Sequence, residues 1–133
     1  MIKRVVARSA SRTVIAMDSI SHVDANDAGH IVVSGSHGGT SSGEFACRHR
    51  LAAAFFNDAG VGKDDAGIAA LDMLDRISVP AGAVSHVTAR IGDAEDTWRH
   101  GTLSRLNRSA RAAGLKEGEQ LRDAVARLLD IRP

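Results

Sequence analysis

The chain has 133 residues, 44% apolar and 25% charged, with 17 Lys+Arg against 16 Asp+Glu, which predicts one soluble globular α/β-sized domain over residues 1–133. A net charge of +1, dispersed basic residues, 3% aromatics and no tyrosine argue against nucleic acid as a partner, whether through a basic arm or an aromatic stacking platform. No apolar run approaches the roughly 20 residues that span a bilayer, no signal peptide is read, and a lone cysteine, Cys47, excludes an internal disulfide, so a cytoplasmic protein without a membrane partner is expected.

In chain order, residues 4–9 and 13–17 read as short strands. The polar spacer from Asp18 to His30 is too short for a crossover helix, which makes the first two strands a hairpin or meander. A third strand covers His30–Ser34 and ends in "GSHGGT" (35–40). A short helix follows near Ser42, where Ser41 and Glu44 have the spacing of a capping box. "LAAAFFN" (51–57) is apolar throughout, as in a strand covered on both faces. After the loop "DAGVGKDDAG", Ile68, Leu71, Leu74 and Ile77 mark a helix face that stops at Pro80. Residues 81–92 contain the next strand, with His86 in its middle. Asp93 reads as an N-cap, followed by a helix with Trp98, Thr102, Leu106 and Ala110 on one face, ending at Gly114. A last helix runs from about Gly118 to Ile131. This order predicts a three-layer α/β fold, with a mostly parallel sheet of four or five strands and helices on both faces.

In such sheets the ligand crevice lies beyond the carboxyl ends of the strands. The predicted ends carry Asp18; Gly35 to Thr40; Asn57, Asp58 and Lys63; and Arg90 and Asp93. Two readings of the glycine turn compete. In one, Gly38, Gly39, Thr40 and Ser41 cradle an anion at a helix start. In the other, Ser36 is a nucleophile and His37 a base or oxyanion donor. "SGSHGG" resembles the nucleophile elbow of the α/β hydrolases, G-x-S-x-G, over about a dozen residues. The resemblance puts Ser36 at the nucleophile and Gly38 at the second glycine; Ser34 stands where the pattern has its first. Asp93 and His100 are the downstream residues that would complete a triad.

Around this turn, Asn57, Asp58 and Lys63 line a pocket, and Lys63 neutralises an anion or pairs with Asp58. Arg90 offers a fork suited to a carboxylate or phosphate, held by Asp93 or Asp96. Asp64 or Asp65 caps the following helix, Trp98 packs, and Cys47 behaves as a small buried hydrophobe. Neither nucleotide-loop pattern is present, and no histidine has zinc-site company, so no cofactor and no metal are expected. The function expected is a small enzyme acting on an anionic metabolite, a hydrolase or acyl transferase using Ser36, His37 and Asp58. The alternatives are a non-catalytic phosphate- or nucleotide-binding module and an interaction subunit of a larger enzyme. A homodimer would add apolar burial to an alanine-rich core.

Overall fold

The computed structural model describes residues 2–129. One sheet of six strands follows the order of the sequence: β1 (Lys3–Arg8), β2 (Thr13–Met17), β3 (Ile31–His37), β4 (Ala53–Asn57), β5 (Ala81–Val84) and β6 (Leu103–Leu106). Strands β2 to β5 are mutually parallel. β1 and β6 are antiparallel to their neighbours and form the two edges. The helices are α1 (Thr40–Ala46), α2 (Ala69–Asp75), α3 (Ala94–His100), α4 (Arg108–Ala112) and α5 (Leu121–Leu129). This is the expected α/β architecture with helices on both faces.

The period of two explains the layering. Val33 and Phe55 point to one face, where they meet Trp98 of α3, Ala110 of α4 and Val125 of α5. Val32 and Phe56 point to the other, where they meet Ala46 of α1 and Leu71 of α2. The central strands read as continuous apolar runs because both faces are covered. Phe55 and Phe56 are fully buried, and each such side chain contributes about 2–3 kcal/mol by leaving water. No helix among the described residues is long and apolar enough to cross a membrane.

Several elements differ from their sequence reading. β1 and β2 do form the expected hairpin, yet β2 and β3 are parallel although only two short 3-10 turns, Ile20–His22 and Ala25–Asp27, connect them. β3 extends to His37, so Gly35, Ser36 and His37 belong to the strand and the turn shrinks to Gly38 and Gly39. The capping box does not form: Gly39 is the N-cap of α1 and no side chain caps it. Likewise, Ile68 is the uncapped N-cap of α2, and Asp64 and Asp65 lie in a preceding 3-10 stretch, Lys63–Ile68. β5 has only four residues, which leaves His86 beyond its end.

The predicted helix through Trp98 and Ala110 is instead α3, β6 and α4. Asp93 caps α3 as expected, accepting from the Asp96 amide at 2.9 Å. The helix then stops at Gly101, where a Cβ would lie 2.6 Å from the Thr97 carbonyl and 2.7 Å from Val84 Cγ1. That close approach to β5 turns the chain into β6, which supplies the sixth strand, and Asn107 then caps α4. The final helix begins at Leu121; Ile131 lies outside the described residues.

Candidate active site

Register brings the strand ends to one line. His37 pairs with Asn57, and Asn57 with Val84. Neighbouring strands are about 4.8 Å apart, so the ends of β3 and β5 lie roughly 10 Å from each other with β4 between them. The chain after β4 and the chain after β5 are tied together there by Asn57, which is fully buried. Its Nδ2 donates to the Ala89 carbonyl and its Oδ1 accepts from the Ala59 amide. Asn57 is therefore a structural tie at this edge.

Asp58 follows and is also buried. Its Oδ1 accepts from the Gly60 amide at 2.8 Å, the His86 amide at 3.1 Å and the His86 ring Nδ1 at 3.1 Å; its Oδ2 accepts from Ser104 Oγ at 2.6 Å. Burial opposes ionisation of this carboxyl, but the hydrogen bonds from Ser104, Gly60 and His86 outweigh it and hold the group below the ordinary carboxyl range. A carboxylate can only accept, so His86 donates from Nδ1, and in the neutral ring Nε2 is then the free lone pair. The His86 side chain is 50% exposed against 8% for Asp58. An ionised, buried carboxylate thus orients a solvent-facing imidazole, the arrangement that a general base requires.

His37 has the opposite polarity. Its Nδ1 accepts from the Gly39 amide at 3.1 Å, which places the proton on Nε2 and makes the ring a donor. A Cβ on Gly39 would lie 2.8 Å from that Nδ1, and one on Gly38 would lie 2.9 Å from the Gly67 carbonyl. Gly38 is thus required by close approach to backbone, and a side chain at Gly39 would displace the His37 ring. Their φ angles are not positive, and their amides are occupied, Gly38 donating to the Asn57 carbonyl.

The chain between Asp58 and Gly67 is strained. Ala59, Val61, Asp64 and Asp65 all have positive φ, between 51° and 66°, alongside Gly60 and Gly62. Each non-glycine residue there costs on the order of 1–2 kcal/mol, and Val61, being β-branched, is the extreme case. The amides of Ala59, Gly60, Val61 and Gly62 all donate within the loop or to Asn57 and Asp58. The loop folds on itself and lays the Gly60 backbone against the His86 ring. Strain of this density is held where the surroundings over-determine a site.

The remaining predicted residues are distributed along the same edge. Ser36 Oγ accepts from the Ile20 amide at 2.9 Å, so it ties β3 to the turn after β2. Asp18 accepts from the amides of Ile2 and Ala94. Thr40, Ser41 and Lys63 are exposed, and Lys63 makes no ion pair with Asp58. The Arg90 guanidinium has no hydrogen bond or ion pair among the described residues; Asp96 accepts from the Arg90 backbone amide, and the Asp93 amide donates to the Arg90 carbonyl. Trp98 packs against the core as expected. Cys47 is half-buried, and burial pushes its thiol pKa up, as fits an inert thiol.

His86 and Ser104 escaped the sequence reading as site residues. His86 lay in a strand read too long and Ser104 in a strand read as helix; the available signals were Gly101 after two basic residues and Asn107 as a fresh cap. Among the described residues, no group of three or more His, Cys, Asp or Glu is placed to hold a metal ion. The chain matches no protein-family model, no curated protein sequence and no solved structure at a significant level.

Proposed function

We propose that this protein is a hydrolase of small anionic metabolites, using general acid–base catalysis with water as the nucleophile. The observation that carries the reading is the buried Asp58 carboxylate bound to Nδ1 of the half-exposed His86. His86 Nε2 takes a proton from water as the water oxygen attacks an ester or amide carbonyl. His37, on the far side of β4, presents Nε2–H to the oxygen that becomes negative. The protonated His86 then returns its proton to the leaving group. Ser104 and Gly60 hold Asp58 in place as positioning groups. Lys63 and Arg90, exposed cations on the chain segments after β4 and β5, draw an anionic substrate toward this edge.

Water takes the nucleophile's role because Ser36 Oγ is hydrogen-bonded to the Ile20 amide, and no histidine hydrogen bond to it is present among the described residues. The test is a panel of carboxylate- and phosphate-bearing esters, amides and lactones assayed with wild type, His86→Gln and, as a control remote from the site, His49→Gln. Loss of turnover by about a hundredfold or more in His86→Gln alone is expected. Equal turnover in wild type and His86→Gln overturns the assignment. Labelling of Ser36 by a fluorophosphonate probe would restore the serine-nucleophile mechanism.

A further inference from the structure

A second cleft lies between β1, α3 and α5, and β1 is three strands from β4 in the sheet. Its volume is about 610 Å³, within the range of small-molecule sites. Val6 and Trp98, both packed against the core, form its apolar part. Arg4, Arg99 and Arg122 supply the charge, and Glu95 is the only acidic residue among its described lining groups.

That single carboxylate serves two of the arginines. Arg99 Nε meets Glu95 Oε1 at 2.7 Å, and a terminal nitrogen of Arg4 meets Glu95 Oε2. Each guanidinium has five N–H donors in a fixed plane, and Glu95 occupies one side of each. Glu95 thereby fixes two forks and leaves their other donors available. Arg122 has no ion pair or hydrogen bond among the described residues. Three guanidinium charges against one carboxylate leave +2 in one cleft of a chain whose total is +1. Crowded like charges raise the free energy of the empty cleft, and a ligand with two or more negative charges removes that cost.

We propose that this cleft binds a small polyanion, a phosphorylated or di- or tricarboxylic metabolite, on Arg4, Arg99 and Arg122, with its uncharged part against Val6 and Trp98. The site is independent of the His86 centre. Guanidinium forks match carboxylate and phosphate oxygens in pairs, and the cleft's charge selects for multiply charged ligands over single carboxylates.

Trp98 is the only tryptophan in the chain, so its emission reports on the cleft directly. Titration with inorganic pyrophosphate and, separately, with citrate should give a saturable change at constant ionic strength, whereas acetate should give none. Saturation by pyrophosphate alone identifies phosphate as the ligand chemistry, and by citrate alone carboxylate. In Arg122→Gln and in Arg99→Gln the affinity should fall about tenfold or more. Arg122 makes no hydrogen bond or ion pair among the described residues, so its variant should retain the wild-type Tm. A response matched by chloride at equal ionic strength, no saturation by either polyanion, or wild-type affinity in Arg122→Gln overturns the proposal.

Discussion

Two aspartate–histidine pairs in this protein have nearly the same contact, 3.1 Å between His86 Nδ1 and Asp58 and 2.9 Å between His100 Nδ1 and Asp96. Their surroundings differ. Asp96 and His100 are four residues apart on α3, His100 exposed and Asp96 partly so. Such a pair follows from helix geometry and contributes only a few tenths of a kcal/mol. Asp58 and His86 are 28 residues apart and are joined only because β4 and β5 end side by side. Asp58 is buried and accepts three further hydrogen bonds, so its ring partner has one orientation and one tautomer. The same two residue types make a surface ion pair in one place and an oriented base in the other. What separates them is desolvation of the carboxylate and the number of bonds that fix it.

Removing the two carboxylates is the strongest way to break this contrast. Asp58→Ala leaves the Ser104 hydroxyl and the Gly60 and His86 amides without their acceptor, and it should cost about 3 kcal/mol in urea unfolding. Asp96→Ala should cost less than about 1 kcal/mol. Equal losses would erase the distinction.

Ser104→Ala sharpens it by removing one bond from Asp58, together with the longer contact of the Ser104 hydroxyl to the Ala83 carbonyl. A loss of about 1.5 kcal/mol is expected, with Ser104→Thr recovering most of it. The ¹⁵N shifts of the His86 ring should show the Nδ1–H tautomer in wild type and a mixture in Ser104→Ala. An unchanged tautomer would make Ser104 a purely structural residue.

Acid gives the smallest separation. The Arg90 amide and then His100 lower the Asp96 carboxyl, while the bonds to Asp58 overcome its burial, so both titrate below the ordinary range when folded. A depressed folded value adds stability above the unfolded pKa of about 3.9, and that stability is lost as pH falls through the folded value. Unfolding midpoints from about pH 5 down to pH 2 should therefore fall less steeply in Asp58→Asn and in Asp96→Asn than in wild type. A variant that keeps the wild-type slope would show that its carboxylate carries no acid-sensitive stability.

Much of the scaffold was legible because its signals are local. The β1–β2 hairpin, the apolar β4 run and Asp93 as a cap depend on alternation, continuous hydrophobicity and one short side chain. Part of the polar carboxyl edge was legible as a group: Asp18, His37, Asn57 and Asp58 fall at or just beyond strand ends, whereas Arg90 lies in the loop six residues past β5. Their roles were not. Asn57 reads as a ligand contact and is a buried tie; Ser36 reads as a nucleophile and receives the Ile20 amide. Gly38 and Gly39 read as an anion cradle; in the fold a Cβ on Gly38 would meet the Gly67 carbonyl and one on Gly39 the His37 ring. The failure at 98–110 has the same origin. Trp98, Thr102, Leu106 and Ala110 satisfy helical spacing, but the close approach of Gly101 to Val84, the pairing of β6 with β5 and the new cap at Asn107 divide the segment.

The sequence by itself determined the α/β class, the covered central strands and the polar carboxyl edge, since periodicity, apolar runs and caps act within a few residues. Tertiary structure alone decided the antiparallel sixth strand, the left-handed path of residues 59–65 and the meeting of Asp58, His86 and Ser104. These rest on contacts between segments 28 and 46 residues apart, whose free energy comes from burial and hydrogen bonding that no local pattern encodes.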